Sequence, residues 1–255
     1  MALSFDNIIV KKGGAKVKKG IALSFERYEK KYFLTPEKLM KMQEVISEHM
    51  RADDYGEYTI CNVYYDTDDW RLIRASIEKP VYKEKLRVRS YGVPSDTDSV
   101  FVELKKKLDG VVYKRRINTE MCFVEPFLYG LVEPCGGQIG REIAYFQSFY
   151  HAEPKAFIAY DRTAFAGIAD SGLRVTFDRN IRWRTSRLDL RCGDGGEPLL
   201  NDDRILMEIK FPGVCPLWLS KALSENEIFP TSFSKYGTCY RENILKSQKE
   251  ALFCV

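Results

Sequence analysis

One pattern recurs along this chain: arginine, lysine and glutamate at alternate positions, with apolar residues between them. Side chains of a β-strand alternate faces with period two, so each such stretch is a strand with one charged and one apolar face. In Val81–Tyr91, Lys83, Lys85, Arg87 and Arg89 point one way, and Leu86 and Val88 the other. Leu23–Leu34 sets Arg27, Glu29 and Lys31 against Tyr28, Tyr32 and Leu34. Arg204–Phe211 sets Arg204, Leu206, Glu208 and Lys210 against Ile205, Met207, Ile209 and Phe211. In Lys155–Phe165, Ile158, Tyr160 and Arg162 align. In Gly172–Arg179, Arg174, Thr176 and Asp178 do.

The stretch Phe101–Arg116 adds register to this pattern. Asp109-Gly110 tolerates the positive φ angles of a tight two-residue hairpin turn. That turn sets Lys105 opposite Lys114 and Glu103 opposite Arg116, with Glu103, Lys105 and Lys107 on one face. Like charges directly opposite on a sheet repel. An exposed hairpin keeps such charges in water; an enclosed one needs an anion between them.

An antiparallel sheet with one wet face also alternates, but a face made only for solubility mixes signs more evenly than this one. The apolar faces need cover, and amphipathic helices are available. Thr35-Pro36-Glu37 is a helix start, with Thr35 as N-cap. The stripe Leu39, Met42, Val45 and Ile46 carries that helix to about Met50. Arg141–His151 shows a second stripe of Ile143, Phe146 and Phe149. Trp70–Ala75, Pro216–Leu223 and Tyr236–Lys249 also read as helices, Tyr58–Tyr65 as a strand, and 191–203 as a loop open to proteases. The expected fold is α+β: a closed, mostly antiparallel β-barrel flanked by helices, with the charges inside. Residues 1–22 are expected as a basic arm and 23–255 as one domain.

A basic interior is costly unless it stays wet and holds a polyanion. A chain of phosphates suits it, since arginine offers forked donors and lysine a point charge. A minority of carboxylates can hold a divalent metal that bridges phosphate oxygens. Neither a G-x-x-x-x-G-K-[ST] loop nor a G-x-G-x-x-G turn is present, so side chains would hold any nucleotide. The net charge of +4 over 255 residues puts the basic character in local clusters rather than the whole. Seven scattered cysteines without C-x-x-C, and two histidines, give no zinc spacing. They point to free thiols in the cytoplasm. No apolar run reaches membrane-spanning length, and the N-terminus lacks a signal-peptide core. Nucleic acid is not expected as a partner, because the aromatics fall mostly on the apolar faces and offer no stacking platform.

Arg27-Tyr-Glu-Lys-Lys-Tyr-Phe-Leu34 resembles the first strand of triphosphate tunnel metalloenzymes, the CYTH-like superfamily, and more specifically of the VTC domain, a polyphosphate polymerase module. The resemblance continues through Val63-Tyr-Tyr-Asp66, Lys85-Leu-Arg-Val-Arg89, Phe101-Val-Glu-Leu-Lys105 with Lys114, and Tyr160-Asp-Arg-Thr-Ala-Phe165. It ends in Leu173-Arg-Val-Thr-Phe-Asp178, Leu206-Met-Glu-Ile-Lys210 and Phe233-Ser-Lys-Tyr236. It runs over roughly residues 23 to 245.

The resemblance implies a barrel tunnel in which the γ-phosphate of ATP passes to a growing inorganic polyphosphate chain, with Mn²⁺ or Mg²⁺. It assigns Arg87, Arg89, Arg162, Arg174, Lys235 and Glu208 to catalysis. Lys31, Lys105, Lys114, Tyr160, Ser234, Lys210 and Arg27 fall to phosphate binding, and Glu208 and Glu29 to the metal. The superfamily's opening E-x-E-x-K pattern has Arg27 at its first glutamate. That departure leaves fewer carboxylates and favours polymerisation over triphosphate hydrolysis. A triphosphatase in the same fold, or a non-catalytic polyphosphate-binding module, are the competing expectations. The resemblance also implies a stand-alone module, without the phosphate-sensing domain and membrane helices of its eukaryotic relatives, that can hand its product to a membrane transporter. ATP and polyphosphate or pyrophosphate are its expected ligands.

Overall fold

Ten strands hydrogen-bond into one antiparallel sheet in the structure of this chain, a computed structural model that describes residues 27–109, 111–200 and 202–246. The expected N-terminal arm lies outside the described residues, as does the side chain of Arg27. In chain order the strands are β1 (Arg27–Leu34), β2 (Met50–Asp66), β3 (Tyr82–Tyr91), β4 (Ser99–Leu108) and β5 (Val111–Glu120). They continue with β6 (Glu153–Gly167), β7 (Arg174–Arg184), β8 (Glu197–Pro198), β9 (Ile205–Pro212) and β10 (Pro230–Thr231). The helices are α1 (Pro36–His49), α2 (Arg71–Ile77), α3 (Val124–Leu128), α4 (Gly137–Tyr150), α5 (Leu217–Glu225) and α6 (Lys235–Cys239).

Across the sheet the order is β10-β1-β9-β7-β6-β2-β3-β4-β5, with β8 added to β7. Lys105 pairs with Lys114 and Glu103 with Arg116, the register that Asp109-Gly110 demands. The sheet curls, because Lys105 on β4 lies close enough to Glu29, Lys31 and Lys210 on β1 and β9 to feel their charges. Among the described residues, however, no backbone pairing joins β5 to β1 or β10. The expected α+β class and antiparallel sheet are present. Closure into a hydrogen-bonded barrel is not shown among the described residues.

The two outer apolar layers follow from the alternation. Leu86, Val88, Val102 and Leu104 pack with Ile143 and Phe146 of α4 and with Phe127 of α3. Tyr32, Leu34, Val175, Met207 and Ile209 pack with Leu39, Met42 and Ile46 of α1 and Leu219 of α5. Each such fully buried side chain contributes about 1.5–3 kcal/mol. Thr35 caps α1 by accepting from Lys38 N–H at 3.3 Å, with Pro36 in the first turn. The third apolar cluster lies on the charged side of the sheet. Ile158 and Leu206 point inward and meet Ile73 of α2, Cys239 of α6, and Tyr240 and Ile244 of the π-helical turn that follows. These helices therefore plug one end of the charged face.

Several elements exceed their sequence signals. β2 begins at Met50, well before Tyr58: Met50–Ala52 pair with Phe165–Gly167 of β6, while the exposed stretch with Asp53, Asp54 and Gly56 bulges between Ala52 and Glu57. α4 begins at Gly137, before Arg141, without a side-chain cap. Gly136 starts it at φ 75°, where a Cβ would come within 2.3 Å of Ile117 Cγ2. The C-terminal helix expected over Tyr236–Lys249 is α6 followed by the π-helical turn Tyr240–Ile244, and its last residues lie outside those described. The described part of the 191–203 loop is tied down: Arg182 Nη2 donates to Asp194 Oδ2 at 2.7 Å, and Leu199 is buried.

Candidate functional site: a basic cradle on the inner face

Along each inner strand face, side chains pass from the apolar plug to a charged cradle. On β6 the series is Ile158, Tyr160, Arg162; on β9 it is Leu206, Glu208, Lys210. Period two on neighbouring strands thus brings distant residues together, and α6 adds Lys235 from the plug itself.

One half of the cradle centres on two buried carboxylates. Arg162 grips Asp178 with two donors, Nε to Oδ1 at 2.6 Å and Nη2 to Oδ2 at 2.7 Å. Lys235 Nζ lies 2.5 Å from Asp178 Oδ2 and 3.5 Å from Glu208 Oε1. Glu208 also meets Arg162 at 3.5 Å, Lys31 at 3.4 Å and Lys210 at 4.0 Å. The Tyr160 ring lies beneath both Arg162 and Lys235, with Lys235 Nζ 4.3 Å from its centroid. Lys31 is held from behind, donating to Phe233 O at 3.0 Å.

The other half centres on Glu103, only 2% exposed. Arg87 donates to it through Nε at 2.8 Å and Nη2 at 2.6 Å, and Lys114 Nζ lies 2.7 Å away. Arg87 also donates to Tyr64 Oη at 3.1 Å. Arg89 is oriented by Asn62 Oδ1 at 2.9 Å and reaches Tyr160 Oη at 3.3 Å, which joins the two halves.

The electrostatics follow from this packing. Burial alone would raise the Glu208 carboxyl, but Lys235, Lys31, Arg162 and Lys210 hold it well below the ordinary value. Burial is likewise outweighed at Glu103, where Arg87, Arg89 and Lys114 hold the pKa to about 2. Tyr160 lies below its ordinary value because Arg89, Arg162 and Lys235 outweigh its burial. The lysines of the other wall go the opposite way. Burial and then Lys105, Lys83, Lys31 and Arg87 push Lys85 down to about 7. Burial also lowers Lys105 and Lys114.

Among the described residues no cluster of three or more metal-ligating side chains occurs. Glu29 and Glu208 nevertheless form a pair spanned by two ammoniums, Lys31 at 3.6 and 3.4 Å and Lys210 at 3.7 and 4.0 Å. Two carboxylates are the number through which a Mg²⁺-like ion binds when phosphate oxygens and water complete its shell, and an ion placed there would have to replace the positive charge that Lys31 and Lys210 now supply.

Of the residues picked out from sequence, Lys31, Arg87, Arg89, Lys114, Tyr160, Arg162, Glu208, Lys210, Lys235 and Glu29 meet in this network. Lys105 lines the same face. Arg174 sits apart, exposed, at the rim opposite Lys210. Ser234 is the N-cap of α6, accepting from Gly237 N–H at 3.1 Å. The expected Arg27 side chain lies outside the described residues. Asp178, Glu103, Lys85, Asn62 and Tyr64 were not among the picked site residues. The alternation that aligned Asp178 with Arg174, and Glu103 with Lys105, was the signal for the first two. Thr176, nine-tenths buried beside Glu208, also faces inward, and its hydroxyl has no hydrogen-bond partner among the described residues.

A curated relative, the vacuolar transporter chaperone complex subunit 4 of Schizosaccharomyces pombe, is 24% identical over 193 residues. That alignment covers 64% of this chain and 27% of the relative. A Bacillus halodurans crystal structure described as a candidate adenylate cyclase aligns over 81% of this chain and 92% of its own, at 14% identity and a TM-score of 0.48. A Hippeastrum protein described as a candidate adenylyl cyclase with a dominant triphosphatase activity aligns over 84% and 94%, at 16% identity and a TM-score of 0.47. The sequence profile of the VTC domain matches residues 26–243, nearly all of the sheet and the helices that cover it, and the chain therefore belongs to the VTC domain family.

Proposed function

We propose that this protein is a divalent-metal-dependent polyphosphate polymerase that transfers the γ-phosphate of ATP to the end of an inorganic polyphosphate chain. The observation that carries this reading is the imbalance of the inner face. Lys85, Lys105 and Lys114 stand abreast on β3, β4 and β5, and of the three only Lys114 has an ion pair among the described residues, with Glu103. Three lysines abreast with a single ion-paired carboxylate among them suit a long polyanion better than a single triphosphate.

Phosphoryl transfer passes through a loose transition state with charge spread over the oxygens, so positioning and charge stabilisation do most of the work. Arg87, Arg89, Arg162 and Lys235 converge on Tyr160 and clamp the triphosphate, with Arg174 at the rim. The terminal phosphate of the acceptor attacks directly, so no protein nucleophile is needed. Glu208 and Glu29 would hold the metal, which when bound would supply charge neutralisation to the phosphate oxygens. Lys31, Lys210, Lys105 and Lys114 line the way out for the product. Ser234 assists by fixing the start of α6 and hence Lys235.

The reaction belongs in the cytoplasm, where ATP is supplied and thiols stay reduced. Among the described residues six cysteines are free, and no helix is long and apolar enough to cross a membrane. The fission-yeast relative is named for a transporter chaperone complex, so a membrane transporter is a fitting recipient of the polymer. Incubation of the pure protein with ATP and Mn²⁺, with products resolved on a gel, tests the assignment. ADP and acid-labile chains that lengthen with time are expected. Stoichiometric free phosphate without polymer would make the protein a triphosphatase. Polyphosphate binding without turnover would make it a binding module.

A further inference from the structure

Lys85 stands out among the cradle's cations. It lies on the same face of β3 as Arg87 and Arg89 and directly opposite Lys105, which in turn stands opposite Lys114. Side chains so paired have Cβ atoms only about 5 Å apart. Lys114 has Glu103 at 2.7 Å, but Lys85 has no hydrogen-bond or ion-pair partner among the described residues. The charges that face it are Lys105 from β4, Lys83 and Arg87 from β3 and Lys31 from β1, all cationic. The carboxylates of neighbouring strands are committed elsewhere. Glu103 is held by Arg87 and Lys114, Glu29 by Lys31 and Lys210, and Asp66 by Leu72 and Ile73 N–H and Tyr236 Oη.

We propose, on the basis of the polyphosphate reading above, that Lys85 is a phosphate-chain contact that enters the binding site neutral and takes its proton from solvent as the polyanion arrives. Burial and the four surrounding cations push the empty-site pKa down to about 7. At pH 8 about nine-tenths of such amines are neutral. A phosphate oxygen beside Nζ reverses the balance, because an adjacent opposite charge favours the protonated form. The solvent proton joins the Nζ lone pair, and the new ammonium donates to the phosphate. Lys85 thereby makes chain affinity depend on pH in the physiological range, a task the arginines of the cradle cannot perform.

The test is calorimetric titration of tripolyphosphate, without ATP, into wild type, Lys85→Arg and Lys85→Met, at pH 8 in two buffers of different ionisation enthalpy. Wild type should take up close to one proton more than Lys85→Arg. Its affinity should fall with rising pH between pH 7 and 9 by up to about tenfold per unit, more steeply than that of Lys85→Arg. Lys85→Met should bind about tenfold more weakly near pH 6.5, with the deficit shrinking toward pH 9. Equal proton uptake and parallel pH profiles in all three proteins, with binding intact, would overturn the role of Lys85 while leaving the polyphosphate reading in place. Absence of tripolyphosphate binding by wild type would overturn both. In the free wild-type protein a lysine Cε resonance titrating near neutrality, and moving to higher pH with tripolyphosphate, is the direct signature. Its absence would also count against the proposal, whatever the variants do.

Discussion

Lys235 Nζ and Asp178 Oδ2 lie 2.5 Å apart across the boundary between α6 and the sheet, so the plug helix and the cradle share one ion pair. Asp178 is fully buried and also takes both donors of Arg162. Removing the carboxylate therefore leaves two buried cations with only the longer contacts to Glu208. Breaking such a pair on one side typically costs about 3–5 kcal/mol. Asp178→Asn should melt well below wild type, and added tripolyphosphate should recover more stability in the variant than in wild type. A variant that melts like wild type would remove Asp178 from the framework of the site.

Lys235→Ala asks the complementary question. Its ammonium is close to Asp178, Glu208 and the Tyr160 ring, and is not a surface charge. Losing one charged contact to a phosphate should cost on the order of 1.5–3 kcal/mol, roughly ten- to a hundredfold in turnover at limiting ATP. Ser234→Ala should instead cost about 1 kcal/mol of stability, as a lost cap does. Steady-state rates and melting curves of the two variants separate the roles.

Glu208→Gln should abolish turnover and the response to Mn²⁺. The four cations around Glu208 also predict a loss of stability, because each is left with one counter-ion fewer. Metal titration of the activity decides. Unchanged activity and unchanged metal response would assign Glu208 to the ion-pair framework alone.

Glu103 governs acid stability. Its folded pKa, about 2, is below the ordinary 4.5, so its contribution is fully present above the unfolded value and is lost as pH falls from about 4.5 toward 2. The shift corresponds to about 3 kcal/mol. Stability of Glu103→Gln should fall less than that of wild type over this window, from a lower starting point at pH 7. Chemical denaturation at pH 7, 4 and 3 measures both.

Much of this arrangement was legible because β-structure has so short a period. The inward direction of Arg87, Arg89, Arg162 and Glu208 needed only the alternation and the apolar residues between them. The Lys105–Lys114 register needed only Asp109-Gly110. Sequence could not show which strands would be neighbours, and that is why Asp178 went unpicked. Its importance comes from β6 on one side and α6 on the other, contacts separated by 16 and 57 residues. Lys85 went unpicked for the converse reason. Its distinction is the lack of a counter-ion, and a missing partner leaves no mark in a linear pattern. The early start of β2 was hidden by an exposed, acidic first half whose pairing with β6 is mostly main-chain work.

Lys235 is held in place through the residue that follows it. Tyr236, the next residue, is buried and donates its hydroxyl to Asp66 Oδ2 at 2.9 Å, while its ring stacks on Tyr64 at 4.5 Å. Asp66 in turn accepts from the N–H groups of Leu72 and Ile73 at 2.9 and 3.0 Å, the first turn of α2. Burial raises the Asp66 carboxyl, and these donors partly offset the effect. Tyr64 closes the chain of contacts by accepting from Arg87. Tyr236 is thus a positioning residue that ties α6, α2 and β2 to the cradle. Tyr236→Phe keeps the stacking but leaves one Asp66 oxygen without its side-chain donor, a loss of about 1–3 kcal/mol. Turnover should fall less than in Lys235→Ala, and mainly in kcat, because the ammonium is still present but less well fixed. Tyr236→Leu, which also removes the ring stack, should lose more in both. If Tyr236→Phe matches wild type in melting and in kcat, the Asp66 hydrogen bond does not position Lys235, and the ring stack alone holds α6 in place.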